Sequence, residues 1–385
     1  MPEFQGQLQS KLPKAGTTIF SIMSQLANVE KAINLSQGFP DFPCSEELIG
    51  LVNKYMKQGL NQYAPMQGIM PLREIISEKT MNLYGCFYHP EKEITITAGG
   101  TQALYTAISA IIRPGDEVIV FEPCYDSYVP AIEMNGGIPV CLNLSFPDFQ
   151  INHHELRNAI SPKTRMIILN TPHNPSGSTI SLEDIALLEE ITNETEIIIL
   201  SDEVYEHIIF DGLKHLSMSR FPKLAERSII VFSFGKTFHV TGWKMGYCLA
   251  PERIMNEFRK VHQFMVFSAN TPIQYAIAEF MSDKKNYENI EQMYQKKRDR
   301  FADLLKASRF KLLKAHGSYF QLLQYDSITH EKDTEFAIRL TKEAKVASIP
   351  VSVFYSSGID NKILRFCFAK TDETLEAAAE KLCKV

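Results

Sequence analysis

A lysine in an apolar stretch is unusual, because lysine is rarely buried. Lys236 stands in Ser233-Phe234-Gly235-Lys236-Thr237, directly after the run Ile229 to Phe232. Burial lowers a lysine's pKa and frees its lone pair, which a nucleophilic amine requires. The same position also suits a solvated lysine at a sheet rim. Three more polar clusters follow apolar runs in the same way. Ala98-Gly99-Gly100-Thr101-Gln102 follows Ile94 to Thr97 and precedes a helix-like stretch. Two glycines let the backbone approach a ligand, and a helix N-terminus offers free N–H groups to a phosphate. A tight turn would use the same residues. Ser201-Asp202-Glu203-Val204-Tyr205 follows Ile197 to Leu200, and a carboxylate there needs a cationic or hydrogen-bonding partner. Helix capping or a structural ion pair would also explain it. Thr171-Pro172-His173-Asn174-Pro175-Ser176-Gly177 is a proline-punctuated turn after Arg165 to Leu169. Its Asn174 amide suits either a ligand or the turn itself, and His173 reads as structural.

The elements behind these clusters alternate. Ile94 to Thr97, Glu117 to Phe121, Arg165 to Leu169, Ile197 to Leu200 and Ile229 to Phe232 are short continuous apolar runs. Thr101 to Ile112 reads as a helix. Continuous hydrophobicity predicts strands buried on both faces, hence a largely parallel sheet covered by helices. Ligands of such sheets bind beyond the strands' carboxyl ends, where all four clusters fall. After about Asn270 the texture changes. Lys284 to Lys306 reads as one long amphipathic helix, with shorter strands near Tyr319 to Leu323 and Leu364 to Phe368. The predicted division is an N-terminal segment 1–43 packing on a small α+β domain 281–385, with a large α/β domain 44–280 between them.

Composition narrows the classes. The 385 residues carry a net charge of −5 without a long basic run, which argues against nucleic acid or an anionic membrane as partner. No apolar run has membrane-spanning length, and the polar stretch Met1 to Gly16 lacks the apolar core of a secretory signal. Seven scattered cysteines without a C-x-x-C pair argue against a disulfide framework and a structural zinc site. No metal is expected, and a reduced, cytoplasmic setting fits best. No G-x-G-x-x-G or Walker loop is present.

One ligand satisfies the four clusters together. Pyridoxal phosphate (PLP) needs a lysine for its aldehyde, an anion site, a carboxylate for its ring nitrogen and neutral donors for its phenolic oxygen. The motifs Thr171 to Gly177, Ser201 to Tyr205 and Ser233 to Thr237, with Gly242-Trp243-Lys244-Met245-Gly246-Tyr247, resemble those of the fold type I, class I aminotransferases. The match runs from Gln37-Gly38-Phe39-Pro40-Asp41-Phe42 to Leu364-Arg365-Phe366-Cys367-Phe368. Within that group it is most similar to the kynurenine/glutamine branch and to bacterial methionine aminotransferases. The resemblance implies a large domain with a mostly parallel seven-stranded sheet. It also implies Lys236 as Schiff-base lysine and proton shuttle, Asp202 at the pyridine nitrogen, Tyr205 and Asn174 at the phenolic oxygen, and Tyr125 stacked on the ring. Gly100, Thr101, Gln102 and Ser233 would cradle the phosphate. Arg365 would grip the substrate carboxylate as a bidentate fork, with Asn174 beside it and a Gly38 backbone contact. Tyr63 would reach the phosphate of the other subunit, which implies a homodimer. Many relatives carry arginine where Lys244 stands. The kynurenine branch uses lysine, so Lys244 is kept as a phosphate contact.

The implied reaction moves an amino group from an L-amino acid to a 2-oxo acid. Phe20, Phe39, Tyr63, Phe267 and Phe354 are the candidates for the side-chain pocket. Aromatic residues there suit methionine, phenylalanine, tyrosine or glutamine better than aspartate. Cysteine-S-conjugate β-lyase activity at the same site is the alternative.

Overall fold

The computed structural model describes residues 2–13 and 15–385. Of the expected N-terminal segment 1–43, Met1 and Lys14 lie outside the described residues. Seven strands form the main sheet: β1 (Ile94–Thr97), β2 (Glu117–Glu122), β3 (Ile138–Asn143), β4 (Thr164–Asn170), β5 (Ile198–Asp202), β6 (Ser228–Ser233) and β7 (Gly246–Leu249). Their order is β1-β7-β6-β5-β4-β2-β3, and β7 alone runs against its neighbours. The sheet is α/β and mostly parallel, as its apolar runs predict. β1 and β5 to β7 are buried almost throughout because helices cover both faces.

Two strands lay outside the sequence reading. β3 is an edge strand of intermediate exposure that follows Gly136-Gly137, so its hydrophobic signal is diluted. β7 has four residues, too few for a pattern. Its reversed direction matters for the site. It brings Lys244, just before its start, to the edge where the other strands end. Gly246 pairs with Thr97 on one side and Ser233 on the other. A Cβ on Gly246 would lie 2.6 Å from the Phe232 carbonyl oxygen, so the close packing there requires glycine.

A second, four-stranded sheet is built from β8 (Lys311–Leu312), β9 (Phe320–Gln324), β10 (Ile349–Pro350) and β11 (Ile363–Cys367), in the order β10-β11-β9-β8 and antiparallel throughout. The chain start is woven into this end of the molecule. Ile33–Asn34 pairs in parallel with Val346–Ala347, and Leu35 accepts from the Cys367 amide at 2.8 Å. This brings Ser36, Gln37 and Gly38 across the mouth of the main sheet. The long helix expected over Lys284 to Lys306 is two helices, Lys285–Glu288 and Ile290–Leu304. Asn289 separates them, a residue whose side chain competes with helical hydrogen bonds.

Candidate active site

The carboxyl ends of β1, β4, β5 and β6 converge on a cavity of about 310 Å³. Phe20, Gly38, Gly100, Thr101, Tyr125, Asn174, Asp202, Tyr205, Ser233, Lys236, Lys244 and Arg365 line it. Twelve residues singled out from the sequence therefore meet in one place, drawn from segments up to 345 positions apart.

Five others do not line it. The Gln102 side chain turns away: its Oε1 accepts from the Ala98 amide at 3.0 Å, and its Nε2 meets Thr106 at 2.6 Å and His262 at 3.2 Å. Only its backbone N–H, among the first of the helix Gly100–Ile111, is left for a ligand. Phe354 is a second layer, buried behind Phe20 at 5.9 Å between ring centroids. Tyr63 is 83% exposed and meets the edge of the Phe267 ring outside the cavity. Phe39 and Phe267 are also largely exposed and do not line it.

Lys236 occupies the short helix Phe234–Thr237 that follows β6. Its amine is lowered to about 8, chiefly by burial, with Arg365 and Lys244 acting in the same direction and Cys367 and Asp202 opposing them. Among the described residues no carboxylate forms an ion pair with it. Its Nζ instead donates to the Tyr319 hydroxyl at 2.8 Å and to the Gly38 carbonyl at 3.3 Å. Burial lifts the Asp202 carboxyl to about 6, a net cost of roughly 3 kcal/mol. Tyr128 donates to its Oδ2 at 2.6 Å and the Val204 amide to its Oδ1 at 3.3 Å. Neutral donors orient this carboxylate, and the cost remains until a cation meets it.

Arg365, in β11, is buried and held in an aromatic cage. Its guanidinium stacks 3.9 Å from the Phe320 ring, with Phe20 and Phe354 at 5.2 and 5.5 Å. Burial lowers it to about 10, so it stays charged at neutral pH. Nη1 donates to Asn174 Oδ1 at 2.7 Å and Nη2 to the Ser36 carbonyl at 3.1 Å, while Nε is buried without a partner among the described residues. With its oxygen committed to Arg365, the Asn174 amide has its nitrogen free to donate. Asn170 completes the frame: its Oδ1 accepts from the Asn174 backbone N–H at 2.7 Å and its Nδ2 donates to the Asp202 carbonyl at 2.9 Å.

Gly99 and Gly100 line the cavity with bare backbone: Gly99 adopts φ +86° and a Gly100 Cβ would come 3.1 Å from Val204. His173 is structural, as expected, with Nδ1 2.6 Å from the Ser176 hydroxyl. Sequence reading missed Tyr128, Asn170 and Tyr319. Tyr128 lies three residues after Tyr125, at the start of the helix Tyr128–Met134, from where its hydroxyl reaches Asp202.

The donor set fits pyridoxal phosphate. A buried carboxylate wanting a cation, an amine of lowered pKa, a glycine cradle at a helix N-terminus and a part-satisfied buried arginine answer its ring nitrogen, aldehyde, phosphate and amino-acid adduct. Comparison with known proteins agrees. The family model for aminotransferase class I and II matches residues 30–382. Methionine aminotransferase of Escherichia coli strain K12 is 48% identical over 375 residues, 97% of each chain. Kynurenine–oxoglutarate transaminase 1 of Homo sapiens is 33% identical over 396 residues, 94% of each chain. A solved Escherichia coli structure for which a methionine aminotransferase function is described superposes with TM-score 0.97 at 48% identity, covering 98% of this chain and 100% of that one. The chain belongs to the class I and II aminotransferases, enzymes that work with pyridoxal phosphate on amino acids and 2-oxo acids.

Proposed function

We propose that this aminotransferase takes its amino group from an apolar or aromatic L-amino acid, methionine favoured and phenylalanine, tyrosine and glutamine accepted, and passes it to a 2-oxo acid. The observation that carries the reading is the aromatic setting of Arg365. Phe20 and Phe320 line the cavity there, with Phe354 behind them. A thioether or an aromatic ring packs well against such walls. The cations lining the cavity are Lys236, Lys244 and Arg365. Each has a task in this reading, so the second carboxylate of aspartate finds no counter-charge. The Escherichia coli relative named for methionine and the human relative named for kynurenine support the same choice.

Position in the cavity supports a role for each residue. Asp202 keeps the pyridine nitrogen protonated, because the ion pair relieves its burial cost. Tyr205 and Asn174 donate to the phenolic oxygen, and Tyr125 stacks on the ring. The N–H groups of Gly100, Thr101 and Gln102, the Ser233 hydroxyl and the Lys244 ammonium hold the phosphate. Lys244 acts as a point charge rather than a fork. Arg365 grips the substrate carboxylate, with Gly38 and Asn174 beside it. When bound, the cofactor joins its aldehyde to an amine and draws electrons from the adjacent α-carbon. Lys236, released by the incoming amino acid, moves the α-proton, and its lowered pKa suits both taking and giving it. Two half-reactions in turn give ping-pong kinetics.

The exposed Tyr63, beside Phe267 and the 86% exposed Phe264, supports a homodimer in which each Tyr63 reaches the other subunit's phosphate. The division into 1–43, 44–280 and 281–385 is supported by the separate sheets and by the pairing of residues 33–34 with 346–347. Seven unpaired cysteines suit a reducing, cytoplasmic setting, and no described helix is long and apolar enough to cross a membrane. A screen of twenty amino acids against several 2-oxo acids tests the substrate reading. Methionine among the best donors is the expected result, and aspartate preferred tenfold over methionine would overturn it.

A further inference from the structure

We infer that Tyr319 is a positioning residue for the proton-transfer step: its hydroxyl, with the Gly38 carbonyl, holds the free Lys236 amine at the α-carbon. The inference rests on the aminotransferase reading above. The three groups form a closed triangle. Lys236 Nζ donates to Tyr319 Oη at 2.8 Å and to the Gly38 oxygen at 3.3 Å, while the Tyr319 hydroxyl donates to that same Gly38 oxygen. The hydroxyl can accept from the amine because its own proton is committed to Gly38. Burial holds the phenol well above its ordinary pKa, so it is a hydroxyl throughout the working pH range.

The triangle is rigid on each side. Tyr319 is 0% exposed and wedged among Tyr205, Phe320 and Tyr294, at ring distances of 5.1, 4.9 and 5.8 Å. Gly38 lies flat on these rings: a Cβ there would come 2.8 Å from Phe320 and 3.4 Å from Tyr319. Neutral oxygens are the right partners for a shuttle. A carboxylate at this distance would raise the amine's pKa by about 1–3 units and keep it an ammonium. A hydroxyl and a carbonyl fix its direction while leaving the lone pair free to form a bond. In the step itself the Lys236 amine nitrogen would bond the α-proton, while the bound cofactor would supply the sink for the C–H electron pair, and the ammonium so formed would be the group that gives the proton back. The triangle also ties the shuttle to the substrate grip, since Gly38 belongs to the segment whose Ser36 carbonyl accepts from Arg365.

Tyr319→Phe keeps the ring and removes the hydroxyl. Tyr294→Phe is the matched control, because the Tyr294 hydroxyl is buried without a partner among the described residues, beside the same ring. In holoenzyme assays Tyr319→Phe should lower kcat on the order of tenfold or more with KM for the amino donor within about threefold. The isotope effect with α-deuterated donor should rise, since proton transfer becomes slower. In the apoprotein, pH-dependent reductive methylation of Lys236, read by peptide mass spectrometry, should show the amine's pKa falling by about half a unit, because an acceptor that favours the ammonium is gone. Tyr294→Phe should change none of these. Unchanged kcat, isotope effect and Lys236 titration in Tyr319→Phe, or equal losses in Tyr294→Phe, would overturn the inference. If Tyr319→Phe does not fold, Tyr319→His takes its place and the same readouts decide. A wild-type protein that does not transaminate at all would refute the underlying reading instead, while the apoprotein titration would still report on the contact.

Discussion

Asp202-Glu203-Val204-Tyr205-Glu206 presents two faces with opposite electrostatic bookkeeping. Asp202 and Tyr205 line the cavity. Glu203 and Glu206, equally buried, point the other way and are fully partnered. Glu203 accepts from Ser201 at 2.8 Å, the Met218 amide at 3.0 Å and His215 at 2.8 Å. Glu206 pairs with Lys79 at 2.5 Å and accepts from Tyr84 and from Tyr247, the latter at 3.3 Å. The pKa values follow the partners. Burial raises Asp202 to about 6, whereas at Glu206 burial also pushes upward but Lys79, His207 and Tyr84 together outweigh it and hold the carboxyl at about 2. A buried charge with full partners is architecture. One left wanting a cation is a site, and that distinction assigns chemistry to one face of the segment and support to the other.

The largest expected effect lies at Lys236, the proposed nucleophile. Lys236→Ala should reduce turnover on the order of 10⁴-fold or more, measured as amino transfer to a 2-oxo acid, because no other group supplies a covalent link and a proton shuttle together. A folded Lys236→Ala protein retaining a tenth of wild-type turnover would break the comparison at its root.

Substituting the two acids should then give opposite signs. Asp202→Asn should cost about a hundredfold in kcat, the rate equivalent of losing roughly 3 kcal/mol of charge complementarity to the ring nitrogen. The same change should stabilise the apoprotein at pH 7 by up to roughly 3 kcal/mol, since it removes a carboxylate that is ionised at a cost. Glu206→Gln should instead destabilise by about 3–5 kcal/mol, leaving Lys79 buried and unpaired, with kcat per folded molecule within about threefold of wild type. Denaturant unfolding beside single-concentration kinetics separates the two. Both substitutions acting alike would erase the distinction.

The pH dependence sharpens it further. Asp202 has a folded pKa above its unfolded value, so its neutral form favours the apoprotein in acid, and that advantage is lost as pH rises from 3.8 toward 6. Glu206 has a depressed pKa, so its contribution is full above 4.5 and is lost as pH falls toward 2. Unfolding curves of Asp202→Asn should lack the first slope and keep the second. The smallest effect is kinetic. Recombination of apoprotein with PLP should speed up about tenfold per pH unit below 8 and level off above it, because only the neutral Lys236 amine attacks. A flat profile between pH 6 and 8 would contradict the lowered pKa.

Much of the active-site face was legible in the sequence, because each contributor follows a short apolar run and an open parallel sheet collects such residues at one edge. Lys236, Asp202, Asn174 and the Gly99-Gly100 turn are of this kind. Arg365 is not, and it was reached only through resemblance, since nothing local marks an arginine in β11 as part of a site more than a hundred residues away. Tyr319 and Tyr128 carry no local signal either. Each reads as an ordinary core aromatic, and its role arises from hydrogen bonds to segments remote in the chain. The supporting face was equally hidden. Lys79 in the helix Met70–Tyr84 looks like a surface lysine until the fold seats it against Glu206. Helix boundaries failed where a single polar residue decided them, as at Asn289.

The central claim is that Lys236, and no other lysine, carries the cofactor. Borohydride reduction of the PLP-loaded protein, followed by peptide mass spectrometry, tests it directly. The account predicts one pyridoxyl group per chain, on the peptide containing Lys236. A group found on Lys244 or another lysine, or none at all, would contradict it.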